Sequence, residues 1–299
     1  MIEEVIDSVR RIISKWVNTL TPLAADVNPN NTIITVDSVN RFKINDDVMF
    51  RTDALYETGL KVKTIVGNTH IELDGPAKFQ WKVSDDAVLI KAINNRFVQG
   101  IYFGDPDNIP VFPAITVVGN SRSSEWMTLN TTKERYEIEI TVYVEDSTQE
   151  EGYRFLLAIT DIIQAGLKRN IFPLISDYQT IAVTASIASN DTFIKVADTT
   201  GMIDNMRCYL EDRFNFAENF VSNVVDATTI ELAQPACFAY PVSRNPILIL
   251  PTRFIFNSWP EGVQYTKVHK GTLLKAATIS WFAEEEEFQF LARHDPQIS

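Results

Sequence analysis

Asn31-Thr32-Ile33-Ile34-Thr35-Val36 and Asp191-Thr192-Phe193-Ile194-Lys195-Val196 carry one β-type pattern at two places in the chain. The match continues downstream. Ile71-Glu72-Leu73-Asp74-Gly75-Pro76 is answered by Ile230-Glu231-Leu232-Ala233-Gln234-Pro235, and Val88-Leu89-Ile90 by Ile247-Leu248-Ile249. Equivalent residues stand 160 apart at Thr32 and Thr192, and 159 apart at Ile71 and Ile230 and at Val88 and Ile247. One such match arises by chance, but three in register identify an internal repeat. Short strand-like runs separated by Asn, Asp, Gly and Pro predict a small barrel or sandwich for each copy. Residues 30–91 and 178–250 are therefore expected to be one β module inserted twice.

Residues 1–29, 92–177 and 251–299 remain, and they read helix, strands, helix, strands. That order predicts a compact, discontinuous α+β core. Ile2, Val5, Ile6, Val9, Ile12, Ile13, Trp16, Val17 and Leu20 recur at spacings of three and four, as on one face of a helix. Glu3, Glu4 and Asp7 suit the start of that helix and Lys15 its end, and Thr21-Pro22 is expected to stop it. A second helix is expected from Ser147, with Glu150 completing a capping box, to Lys168-Arg169-Asn170. Its stripe is Leu156, Ile159, Ile163 and Leu167, widened by Phe155 and Ile162. Just upstream, Tyr136, Ile138, Ile140, Val142 and Val144 alternate with Glu137, Glu139, Thr141, Tyr143 and Glu145, the period of a strand with one packed face. Pro113–Gly119 and Ala277–Phe282 are shorter strand candidates.

The 299 residues include 39 acidic and 27 basic side chains, for a net charge of −12. With 45% hydrophobic residues a sizeable core is expected, and the charge argues against a general nucleic-acid binder, which needs clustered Lys and Arg. The start, Met1-Ile2-Glu3-Glu4, lacks a basic region before an apolar run, and the longest apolar runs are far below membrane-spanning length. A soluble protein made in the cytoplasm, without a membrane partner, is expected.

Catalytic signatures are sparse. The histidines are His70, His269 and His294, without HExxH or HxH spacing, and the GxSxG, GxxxxGK[ST] and GxGxxG patterns do not occur. Asp46, Asp47, Asp105 and Asp107 are conceivable acids, but turns and solvated loops account for them at less cost. Cys208 falls on the apolar repeat position of Val48, and Cys237 lies near the shared Pro. Both read as small buried or half-buried residues, with a bridge between them conceivable but not required. No catalytic, cofactor or metal residue is assigned. Glu284-Glu285-Glu286-Glu287 has the form of a solvated charge run, or of an acidic wall along a channel that repels DNA phosphates.

The core's order of patterns resembles the tail-terminator, or tail-completion, and neck proteins of tailed bacteriophages. The resemblance rests on the leading helix, Phe112-Pro113-Ala114-Ile115-Thr116-Val117-Val118, and Arg135-Tyr136-Glu137-Ile138-Glu139-Ile140-Thr141-Val142. It continues through the helix with Leu156, Ile159 and Ile162 to the Ala276–Phe282 strand. The β insertions depart from compact members and are similar to the SH3-like barrels of phage structural proteins. The resemblance implies a tail-terminator-like fold of two helices on a mixed or antiparallel sheet. It also implies a hexameric ring at the tail–neck junction of the virion. Its partners would be the tail tube protein, a neck or connector protein, a sheath protein if the tail contracts, and DNA as a passing duplex. Val5, Val9, Trp16, Glu137, Glu139 and Tyr143 are the expected intersubunit or partner contacts. Two other readings compete. One is a binding module using Phe214, Phe216, Phe220, Phe238 and Tyr240 as a platform for a carbohydrate or protein, and the other, ranked last, is a two-carboxylate hydrolase.

Overall fold

The computed structural model describes residues 2–288 apart from 53, 94–95, 105–108, 110, 129–130, 147–148, 170–174, 256 and 268–273. Its first half holds α1 (Ile2–Val17), β1 (Leu20–Pro22), β2 (Ile33–Thr35), β3 (Asp47–Arg51), β4 (Tyr56–Val66), β5 (His70–Leu73), β6 (Val88–Lys91), β7 (Gly100–Phe103), β8 (Ala114–Thr128) and β9 (Thr131–Glu145). Then come α2 (Gln149–Arg169), β10 (Ile175–Ala182), β11 (Phe193–Lys195), β12 (Arg207–Glu211), β13 (Phe216–Asp226), β14 (Thr229–Leu232), β15 (Ile247–Phe254), β16 (Asn257–Lys267) and β17 (Leu274–Phe288). Strands take 51% of the residues in three sheets, with two α-helices among the described residues. The chain is β-rich, which overturns the expected α+β class with a tail-terminator-like helix pair on a sheet as its architecture. The physical reason lies in the repeats. Each supplies six strands, so the two modules, already expected to be β, outweigh the two helices on which the α+β class rested.

Two compact units result. The first comprises Met1–Val17, Val98–Asp177 and Thr252–Ser299, and the second Asn18–Phe97 and Tyr178–Pro251.

In the second unit the two copies fold alike, with strand orders β1-β6-β3-β4-β5-β2 and β10-β15-β12-β13-β14-β11. Bridges Leu23–Val36 and Val183–Val196 tie the first strand of each sheet to its last, closing a small barrel around one apolar core per copy. Turn chemistry repeats as well. Asn30 and Asn190, Asn45 and Asn205, and Asp86 and Asn245 all adopt positive φ, where Asn and Asp are the side chains best tolerated after glycine. The first copy begins before residue 30, because Leu20–Pro22 pairs with Val88–Ile90. That pairing also ends α1 at Val17, short of the Leu20 that its periodicity suggested.

The first unit has a five-stranded sheet, β16-β17-β9-β8-β7, antiparallel except for the β7–β8 pair. α1 and α2 pack on each other, α1 on β7 and β8, and α2 on β9 and β17. Ile138, Ile140, Val142 and Val144 are fully buried in this core, as are Val5, Val9, Ile159, Ile163 and Leu167. The helices approach closely at Gly166, where an added Cβ would stand 2.7 Å from Trp16 Cγ. The expected cap Ser147 and the closing Asn170 lie outside the described residues.

Candidate functional site

Strands β8, β9 and β17 have 15 residues each, which is roughly 50 Å of strand at about 3.3 Å per residue. The longer helix, α2, has 21 residues and spans only about 32 Å. The sheet therefore outruns the helices. α1 starts over Gly119, whose added Cβ would meet Ile2 and Ile6 at 2.8 Å, so Arg122 and the residues after it on β8 continue past the start of that helix.

A charged group occupies this far end. The register sets Glu134 opposite Glu285 and Arg122 opposite Tyr136. Arg122 Nε donates to Glu134 Oε2 at 2.8 Å, Tyr136 OH donates to Glu285 Oε1 at 2.6 Å, and Lys133 Nζ lies 2.8 Å from Glu284 Oε1. Three of the four carboxyl and hydroxyl groups on this face are nearly sealed from water, Glu285 at 1%, Thr132 at 2% and Glu134 at 4% exposure, while Tyr136 is wholly buried. Burial, then the bond to Glu285, pushes the Tyr136 phenol well above its ordinary range, and the Glu134 contact raises Arg122. Glu285 Oε2 and Thr132 Oγ1 find no hydrogen-bond partner. Such a network is well formed only while every member stays in place, because an unpaired charge at low dielectric is costly.

This geometry corrects the reading of Glu284 and Glu285 as an exposed wall. β17 runs straight through the acidic stretch, so alternation sends Glu285 to the helix side and Glu284 to the other, and both are buried. Glu286 and Glu287 pair in register with Lys133 and Thr132, and their side chains lie outside the described ones.

The other expected contact residues separate. Val5 and Val9 have no exposed surface and belong to the core, leaving nothing of their side chains for a neighbouring subunit. Trp16 is half-buried against α2. Glu137 and Glu139, half-buried on the face away from the helices, accept hydrogen bonds from Ser121 and Asn120 respectively, and Tyr143 is half-buried on that face too. Beside them Arg135 lies over Phe282, 4.1 Å from the ring centre, and over Trp259 at 5.5 Å. This second face, and Trp16 on α1, keep accessible surface among the described positions.

In the modules, Asp46 and Asp47 are held in ion pairs with Lys91 and Lys61, and His70 is an exposed strand residue. Asp105, Asp107, His269 and His294 lie outside the described residues. Cys208 is fully buried, and burial lifts its thiol to about 12. Cys237 is exposed rather than half-buried, and the two thiols are free. The aromatic platform is not assembled. Tyr240 and Phe238 are buried, Phe216 stacks on Tyr209, and Arg207 covers Phe220. Among the described residues no group of three or more His, Cys, Asp or Glu could hold a metal ion, and no helix is long and apolar enough to cross a membrane.

No protein-family model and no curated protein matches this chain. Among solved structures it is similar to the Gp54 tailspike of Acinetobacter baumannii bacteriophage AP22, determined in complex with A. baumannii capsular saccharide. The identity is 15% and the TM-score 0.24, over 26% of this chain and 15% of the tailspike chain.

Arg122 and Glu134 escaped the sequence reading, although a signal was present. Thr132, Glu134 and Tyr136 share the parity of Ile138, Ile140 and Val142, so the buried face continues into polar residues. Ending the strand at Tyr136 hid that continuation.

Proposed function

We propose that this chain is a structural protein of a tailed-phage virion, acting by assembly rather than chemistry, as a tail-terminator or neck ring at the tail–neck junction. The observation that carries this is the first unit's sheet. Its two outer strands, β7 and β16, differ in length and direction of pairing. A contact joining unlike edges or faces of successive copies is heterologous, and such contacts close into rings when the rotation between copies permits, or run on as filaments when it does not. The resemblance of the core's strand and helix patterns supplies the ring size, six, and the partners: a tail tube protein, a neck or connector protein, and a sheath protein where the tail contracts. The net charge of −12 suits a duct through which duplex DNA passes without adhering. The charge in question is that of the whole chain, since Glu284 and Glu285 are buried.

Light scattering and negative-stain imaging of the purified chain, alone and with the tail tube protein of the same phage, test this reading. Sixfold rings are expected in at least the mixture. A strict monomer in both samples refutes it.

A further inference from the structure

The two β modules meet largely through residues at which the copies differ. Arg244, closing the 3-10 turn Val242–Arg244 of the second module, reaches Asp37 of the first at 2.8 Å. It faces Asp212 of its own module at 3.8 Å and lies over Phe214, 5.3 Å from the ring centre. Side-chain exposure is 13% for Arg244, 11% for Asp37 and 0% for Asp212, so the three charges share a desolvated contact. Asp212 Oδ1 accepts from the Phe214 and Asn215 amides, while Oδ2 is left to Arg244 without a hydrogen bond. Phe214 packs against the cluster formed by Met49, Val88, Ile90, Ala92 and Phe97 on the first module. Arg213 to Asp86 at 2.6 Å and Arg41 over Phe238 at 4.8 Å complete the contact.

The copies differ at this surface. The hairpins align at their last pairs, Arg51 with Tyr56 and Glu211 with Phe216, so Ala54 stands where the second module has Phe214. Asp85 stands where it has Arg244, and Ala197 and Asn245 replace Asp37 and Asp86. Across this contact the first module brings Asp37 and Asp86, and the second brings Arg213, Phe214 and Arg244. Two first modules would set Asp37 and Asp86 against Asp85. Two second modules would set Arg213 and Arg244 against Ala197 and Asn245. Neither like pairing has its counter-charges, and specificity of this kind comes as much from excluded pairings as from good contacts.

We propose that this surface is a heterotypic latch: the first module's Asp37–Asp86 face docks an unlike module, here the second module of the same chain, through Arg244. Removing the guanidinium leaves Asp37 and Asp212 facing each other as unpaired acids, a more severe loss than removing an exposed ion pair.

Spin labels at the exposed, equivalent turn positions Asn68→Cys and Ala227→Cys, in a Cys237→Ser background of the full chain, report the distance between modules. The parent is expected to give one narrow distance. Arg244→Gln and Asp37→Asn should each cut the population at that distance by at least half, and the double variant should lose no more than the worse single. Circular dichroism confirms folding, and if Arg244→Gln does not fold, Asp37→Asn decides alone. An unchanged narrow distance in the folded variants overturns the proposal, as does strict additivity, which would mean that Arg244 and Asp37 act separately. Diluting labelled into unlabelled chain is expected to leave the signal unchanged. Its loss would put the docked module in another copy and overturn the same-chain assignment.

Discussion

Tyr136→Phe removes one oxygen from the buried end of the long-stranded sheet and tests whether that end is held by its ionic network. The hydroxyl donates at 2.6 Å to Glu285, which is 1% exposed and whose second oxygen already has no partner. A hydrogen bond to a charged group contributes about 1.5–3 kcal/mol, and leaving its buried acceptor unsatisfied falls at the upper part of that range. Phe keeps the ring, so packing against Arg122, 5.9 Å from the ring centre, is retained. A loss of about 2–3 kcal/mol corresponds to roughly 4–12 °C in the melting temperature of a unit this size. Calorimetry on the full chain, with chemical denaturation as a second measure, reads that shift. Tyr153→Phe is the control, since Tyr153 is 44% exposed and touches Tyr265 through its ring. A change below one degree for Tyr136→Phe, or one equal to the control, would refute the idea that the network holds this end.

Three further outcomes are expected. Gly166→Ala should destabilise by about 1–3 kcal/mol by overpacking against Trp16, reversing the stabilisation of up to about 1 kcal/mol that Ala normally brings to a helix interior; a raised melting temperature would show that the helices have room. Ellman's reagent should titrate one thiol, Cys237, in the native chain and two after denaturation, because Cys208 is fully buried. Stability should fall with alkali: the Cys208 thiol is lifted to about 12 and the Tyr136, Tyr209 and Tyr240 phenols are also raised, all chiefly by burial. Raised acids leave the folded state holding protons that the unfolded state has released. Stability is therefore complete below the unfolded values, near 8.5 for Cys and 10 for Tyr, and is lost above them by at most about 1.4 kcal/mol per group and pH unit. Denaturation midpoints that stay level from pH 8 to 11 would contradict this.

The repeat was legible because its strands keep their spacing, and because Asn30, Asn45 and their counterparts mark backbone positions that few other side chains adopt. The class was not. The α+β class follows from the first unit's helices and long strands alone, whereas the two modules, expected from the repeat to be β, add two six-stranded sheets that outweigh them. Val5 and Val9 show a related limit. A wide apolar stripe reveals that a helix face is covered, but not whether the cover is the same chain or another. Here α2 and the sheet cover it, so Val5→Asp with Val9→Asp would report on folding and not on ring formation.

Glu284 and Glu285 fail as a wall for a reason that reaches beyond this site. Four consecutive glutamates in water repel one another, and the default picture is a solvated loop. Strand pairing changes the problem, because alternation halves the density of charge on each face, and the neighbouring strand can then supply a counterpart to each half. β9 does so with Lys133 toward Glu284 and with Tyr136 toward Glu285, while Arg122 on β8 balances Glu134. The same division appears between the modules, where Arg244 is set between Asp37 and Asp212. In both places acids are buried where a partner on a neighbouring strand or module meets them. Part of the excess of 12 negative charges is thus committed inside the fold, and only the remainder is left to act on a passing duplex. If the ring reading holds, neutralising exposed carboxylates such as Glu125 and Glu261 should alter DNA passage without altering melting, whereas Glu285→Gln should do the reverse.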